Sequence, residues 1–399
     1  VIDVDTSSFF AIVLVAAIAA VTVAIVPKRY APPVVVLELF MGIVIGPQVL
    51  DLAHSDNFIE FFSNLGLGML FYFAGYEIDF ERIKGRPMAL GGWGWLLSVA
   101  LAYGIGGILA AAGIVVSFLY TGSAMATTAI GTLIPILRDN GELKTKFGTY
   151  LLAAGGAGEF GPILLVTLVL TTASPLHESV ILLAFVALAL ILALGSVRYA
   201  WRGWPALEKT FEASSQLAVR ITVVLVFGLV LLANQLGLDV LLGGFVAGMI
   251  TRAALRGHEL QVFESKLTAV GFGFFVPFFF ITSGLEFNLD ALGSSEAIAK
   301  LVMFLGLFLV VRGVPAMLLY RGVLDIRDRA ALAFYCATEL PLVVAITTIA
   351  IDAGKMRSST AAGLVGAAML STLIYPFVGQ ALRRSSNASP EEAVATSAG

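Results

Sequence analysis

The 399-residue chain is 59% hydrophobic and 13% charged, with a formal net charge of −3 and a mean hydropathy of +0.95. Soluble domains carry about 25% charged residues, so this composition excludes an ordinary soluble fold and points to an all-α polytopic membrane protein. No basic run marks a nucleic-acid partner, and the single cysteine, Cys336, excludes an internal disulfide or a cysteine metal cluster.

Apolar segments long enough to cross a ~30 Å hydrocarbon core recur along the chain, and the alternation of a membrane β-barrel is absent. The hydropathy predicts thirteen spans, numbered in chain order: 9–26, 34–50, 58–76, 89–111, 115–137, 147–171, 178–197, 217–236, 239–252, 266–284, 297–320, 329–350 and 358–381. Asp3 and Asp5 precede span 1, while Lys28 and Arg29 follow it. That pattern is a retained first helix with its N-terminus outside, not a signal peptide. Of the 24 Lys and Arg residues, 20 fall in alternate connections, from Lys28 and Arg29 through Arg138, Lys144 and Lys146 to Arg383 and Arg384. The intervening connections carry Asp51, Asp56, Glu178, Asp239, Asp290 and Asp352. The positive-inside rule makes the first set cytoplasmic, in a cell membrane with the C-terminus inside. The tail 385–399 is small, polar and expected to be disordered.

Two phrases recur. Gly42-Ile-Val-Ile-Gly46 of span 2 matches Gly244-Phe-Val-Ala-Gly248 of span 9, and Phe71–Asp79 of span 3 matches Phe280–Asn288 of span 10. Both map a span onto the one seven later. Seven is odd, so the second copy is inserted upside down, as in secondary transporters. Spans 1–6 and 8–13 form the two six-helix repeats, and span 7 links them. Span 5 carries Thr121–Gly131, rich in hydroxyls and glycine. Span 12, its mate, carries Cys336-Ala-Thr-Glu-Leu-Pro341. Pro341 removes a backbone donor and disfavours helix at the residue before it. Both segments are expected interruptions at mid-membrane depth.

Four ionisable residues fall inside spans: Glu38, Glu159, Arg312 and Glu339. Such residues face the bundle interior and are functional candidates. Glu159 lies in Leu151-Leu-Ala-Ala-Gly-Gly-Ala-Gly-Glu-Phe-Gly161, among small residues that let span 6 approach a broken helix. Its carboxylate either pairs with a cation or takes up a proton, which suits a proton/cation carrier or, alternatively, a structural ion pair with Arg312. Arginine stays charged, so Arg312 is a permanent counter-charge for Glu159 or for Glu339 at the break in span 12. Glu38 lies nearer one end of span 2 and reads as structural. His54, His177 and His258 fall in loops or near helix ends and receive no role.

Glu38-Leu-Phe-Met-Gly-Ile-Val-Ile-Gly-Pro47, Leu70–Asp79 and Phe279–Glu286 together resemble, in order, the phrases of the monovalent cation:proton antiporters of the sodium/hydrogen exchanger family, with the Kef-type branch the most similar. The resemblance implies a homodimer working by elevator-like alternating access. It implies a core over about 58–171 and 266–381, dimerisation helices over 9–50 and 217–252, and crossed, unwound spans 5 and 12. It implies Glu159 as the site that binds a transported Na⁺ or K⁺ and the proton in turn, with Ser123, Thr127 and Thr128 supplying oxygen ligands. Arg312 and Glu339 are supporting charges, and Gly158, Gly161 and Pro341 shape the packing and the break. No cofactor is implied. The sequence departs from better-known members in its Gly158-Glu159 pair, where they carry an amide or acid before the acid. Many Kef-type members also carry a cytoplasmic nucleotide-binding domain, absent from these residues, so the sequence is a short member or a truncated one.

A sodium-coupled organic-anion symporter of the same architecture and a cation channel are the competing transport readings. An intramembrane enzyme is disfavoured: His258-Glu259 is not followed by the second histidine of a zinc-protease motif, and no aspartyl-protease pair is present.

Overall fold

The computed structural model describes residues 5–26, 33–77, 83–169, 216–236, 240–254 and 258–387, with isolated positions between 185 and 195. The helices are α1 (Thr6–Ile25), α2 (Val34–Ile45), α3 (Asn57–Glu77), α4 (Arg86–Ala111), α5 (Phe118–Met125), α6 (Ile130–Asp139), α7 (Lys146–Val169), α8 (Leu217–Gln235), α9 (Val240–Ala254), α10 (His258–Val270), α11 (Val276–Leu285), α12 (Leu289–Leu292), α13 (Ser295–Leu319), α14 (Ile326–Cys336), α15 (Pro341–Asp352) and α16 (Ser358–Asn387). A π-helical turn, Gly271–Phe275, joins α10 to α11. Among the described residues, seven helical runs are long and apolar enough to cross a membrane, and four shorter apolar helices accompany them.

The expected spans reappear with three changes. Span 2 stops at Ile45. Span 10 carries the π turn. The last helix runs on to Asn387, so Ser385–Asn387 are helical where disorder was expected. Residues 388–399, His177 and span 7 (apart from the isolated positions) lie outside the described residues.

Spans 5 and 12 are each two helices, as expected. α5 ends at Met125 and α6 starts at Ile130, leaving Ala126–Ala129 outside either helix. Small and β-branched residues with a competing hydroxyl fill that gap: the Thr127 Oγ1 donates back to the Ala124 carbonyl at 3.1 Å. In the second break, Ala337–Leu340 separate α14 from α15. Pro341 opens α15 at its first position, where its missing N–H costs nothing.

The chain forms two compact units. The first comprises Val1–Asp79 and Ile163–Leu289. Within it α3 packs on α9, and α2 on α11. Both seams bring backbones together. Gly248 faces the Tyr72 carbonyl and Gly284 the Leu39 carbonyl, where a methyl group would collide. α1 is capped by Asp5, whose carboxylate accepts from the Ser7 and Ser8 amides at 3.0 and 3.1 Å.

The second unit comprises Phe80–Pro162 and Asp290–Gly399. It contains α4–α6, most of α7, and α13–α16. Buried Ile130, Leu133, Leu137, Phe147, Leu151, Leu332 and Tyr335 pack α6, α7 and α14 into one core. Arg383 of α16 ties in the ends of this unit. It donates to Glu142 at 3.1 Å, pairs with Asp328, and lies 4.3 Å over the Phe147 ring.

α3 and the α10–α11 run, assigned to the core by resemblance, pack in the first unit. Close backbone contact at the glycine seams binds α3 to α9 and α2 to α11.

Candidate functional site

Every expected site residue belongs to the second unit, and all six polar ones are buried: Ser123, Thr127, Thr128, Glu159, Arg312 and Glu339. The two breaks meet there. The Ala129 amide donates to the Thr338 carbonyl at 2.7 Å, so unwound backbone from span 5 bonds unwound backbone from span 12. Thr128 reinforces the junction, donating its hydroxyl to the Cys336 carbonyl at 2.6 Å.

α7 joins this junction through its proline. A helical residue normally donates to the carbonyl four positions back. Pro162 lies inside α7 and has no N–H, so the Gly158 carbonyl is left without its helical donor. That carbonyl accepts the Thr128 amide at 3.0 Å. The acceptor freed in α7 thus satisfies one orphaned donor in the break.

Arg312 enters from α13 and is 4% exposed. Nε and Nη2 donate to the Thr128 hydroxyl at 3.0 and 2.8 Å. Nη1 donates to Ser98 Oγ at 3.0 Å, Nη2 to the Ala154 carbonyl at 3.2 Å, and Nε approaches the Cys336 carbonyl at 3.4 Å. Among the described residues Arg312 makes no ion pair. It touches neither Glu159 nor Glu339 as an ion pair, and its charge reaches Glu339 through space. Its planar fork matches several neutral acceptors spread over α4, α7 and both breaks, a geometry that a point charge cannot meet.

Glu159 is 3% exposed. The backbone N–H of Ile130, the first residue of α6, lies beside its carboxyl while donating to the Thr128 carbonyl at 3.1 Å, and Oε2 has no hydrogen-bond partner among the described residues. The carboxyl thus sits at the positive end of a half-helix, which favours negative charge, and keeps one oxygen available. Glu339 is fully buried and both its carboxyl oxygens lack hydrogen-bond partners.

The glycines around Glu159 have separate jobs. A Cβ at Gly158 would strike Arg312 Nη2 and Thr128 Oγ1, one at Gly155 would strike the Ile130 side chain, and one at Gly161 would enter the Trp95 ring. Trp95 in turn donates to the Ala126 carbonyl, freed at the end of α5, at 3.2 Å. Ser123 hydrogen-bonds Tyr103 at 3.0 Å. The Thr128 hydroxyl, with one donor and two acceptor sites, is used up by Cys336 and Arg312.

Sequence reasoning missed Ser98, Trp95, Tyr103 and Pro162. Pro162 had a legible signal, its four-residue offset from Gly158. Ser98, Trp95 and Tyr103 face unit 2 residues far away in sequence, and nothing local announces that.

In the comparisons, the profile of the family "Sodium/hydrogen exchanger, transmembrane" matches residues 13–382. The chain is 28% identical over 279 residues to the Na⁺/H⁺-K⁺ antiporter GerN of Bacillus cereus, covering 67% of this chain and 68% of that one. It is 25% identical over 364 residues to the Na⁺/H⁺ antiporter NhaS5 of a Synechocystis strain, covering 87% of this chain and 49% of that one. Its fold is similar to the solved sodium proton antiporter MjNhaP1 from Methanocaldococcus jannaschii, with a TM-score of 0.63, 16% identity, and 95% and 96% of the two chains covered. At that identity the likeness concerns the fold alone.

Proposed function

We propose that Glu159 is the carrier group of this chain, which belongs to the transmembrane sodium/hydrogen exchanger family and is a monovalent cation/proton antiporter. The single observation that carries the assignment is the state of Glu159: buried, beside the first amide of α6, with Oε2 unpartnered and no ion pair among the described residues. A carboxyl in that state holds either a proton or a cation. Proton and cation then compete for one position, and competition at a site reachable from either side in turn is exchange.

The transported cation is Na⁺ or K⁺, the ions in the names of the relatives. Ser123, Thr127 and backbone carbonyls of the α5–α6 break supply oxygen ligands beside the carboxylate. The Thr128 hydroxyl holds Arg312, Arg312 holds the breaks in shape, and Thr128 contributes to the cation through its backbone carbonyl. Thirteen spans in two inverted repeats joined by span 7 belong to this reading. The paired breaks support it, and so does the reciprocal packing of α2 on α11 and α3 on α9, which a two-fold exchange of the repeats requires. We further propose a homodimer, with the N-terminus outside, the C-terminus cytoplasmic, and elevator-like movement of the site-bearing helices as one body.

In liposomes loaded with a pH dye, Na⁺ or K⁺ added outside drives proton movement by the wild-type protein, and Glu159→Ala abolishes it. Equal fluxes from the two proteins would refute the carrier role.

A further inference from the structure

We propose that Glu339 is a second exchangeable carboxyl of the same site, giving up its own proton when the cation binds, so that two protons move for each cation. The inference rests on Glu159 as carrier. Its starting point is that both carboxyl oxygens of Glu339 are buried without a hydrogen-bond partner among the described residues. Its side chain is fully buried.

Its backbone, by contrast, is pinned. The Glu339 amide donates to Ser371 Oγ at 3.0 Å, and its carbonyl accepts from Ser371 and Thr372 at 3.1 and 3.0 Å. A residue kept for architecture alone would have its carboxyl satisfied, because an unsatisfied buried polar group costs about 1–3 kcal/mol and a charged one more. Here α16 fixes the main chain and leaves the acid function open, at the break that touches the break carrying Thr127 and Thr128.

The groups around it cannot hold it permanently ionised. Thr127 lies on the facing break within reach of the carboxyl, where its hydroxyl favours the ionised form, but the hydroxyl proton is directed at the Ala124 carbonyl. Arg312 of α13 acts on it only through space, since its own N–H groups go to Thr128, Ser98, Ala154 and Cys336. Tyr375 of α16 donates its hydroxyl to the Leu305 carbonyl. Cys336, three residues earlier, is a buried free thiol. Glu159 is the other carboxyl at the junction.

The charge balance follows. With the cation bound and both carboxyls ionised, two negative charges face the cation and Arg312, and the site is neutral. With the cation gone and both carboxyls protonated, Arg312 remains as one net positive charge. Each cycle then moves two protons one way, one cation the other, and one net charge across the membrane.

The test is proton release by the detergent-solubilised wild-type protein on binding Na⁺ or K⁺, measured with a pH dye against the cation bound by calorimetry. Two protons per cation are expected in the wild type and one in Glu339→Gln. In liposomes an imposed membrane potential should accelerate wild-type exchange and leave Glu339→Gln unresponsive. One proton per cation in the wild type, which needs no variant to fold, overturns the proposal, as does an undiminished voltage response in Glu339→Gln. Glu159→Gln distinguishes the two levels: continued exchange by that variant overturns the carrier reading itself.

Discussion

Arg312 grips the hydroxyl of Thr128 with two of its nitrogens, Nε at 3.0 Å and Nη2 at 2.8 Å. That hydroxyl donates its own hydrogen bond to the Cys336 carbonyl. One threonine therefore couples a buried, permanent cation on α13 to both interrupted spans. The arrangement makes Arg312 a fastener of the breaks and, in the proposed function, leaves the two carboxyls to do the exchanging.

Thr128→Val keeps the shape and removes the acceptor. Two donors of a buried guanidinium lose their partner, and hydrogen bonds to charged groups contribute ~1.5–3 kcal/mol. A loss of stability of about 2–3 kcal/mol is expected, read as a lower apparent Tm in detergent. Thr128→Ser, which keeps the hydroxyl, should recover most of it.

Gly158→Ala sets a methyl against Arg312 Nη2 and Thr128 Oγ1. Overpacking of this kind costs ~1–3 kcal/mol, and cation-driven proton flux should fall with it. Gly92→Ala in α4 is the control. Nothing lies within 4 Å of its added Cβ, so removing a helical glycine there should stabilise by ~0.5–1 kcal/mol.

Pro162→Ala separates stability from function. It restores an N–H four residues after Gly158, and that donor competes with the Thr128 amide for one carbonyl. Alanine is also the better helix former, by ~3 kcal/mol in a helix interior. The expected outcome is unchanged or raised thermal stability together with a fall in exchange on the order of tenfold, as small displacements of a site produce. Parallel thermal melts and liposome fluxes would show it; an unaltered flux would mean that the proline does not position the break.

Asp5 predicts an acid sensitivity at the start of α1. Hydrogen bonds from the Ser7 and Ser8 hydroxyls, then the Ser8 amide, hold its carboxyl below the ordinary carboxylate range. A depressed value means that the stabilisation is complete above the ordinary aspartate value of 3.8 and is lost as pH falls beneath it. Between pH 5 and 8, as ranges chosen for assay, amide hydrogen exchange in the first turn of α1 should be constant in its Asp5 contribution. Asp5→Ala should raise exchange there throughout that range.

The sequence by itself determined the membrane class, twelve of the thirteen expected spans that fall on described helices, both interruptions, and the chemical oddity of Glu159. Those features are local: an apolar run, a proline, a hydroxyl cluster and a charge among glycines each act over a few residues. What only the tertiary structure decided is who satisfies whom. Arg312 was expected to lean on a carboxylate, yet it bonds residues from 214 positions before it to 24 after it, all neutral. No sequence pattern ranks such partners, because a buried guanidinium takes whatever acceptors packing brings within reach. The same limit hid the placement of α3 and α11 in the first unit, set by backbone contact at Gly248 and Gly284. Periodicity reports which face of a helix is apolar; only the assembled fold chooses which neighbour meets it.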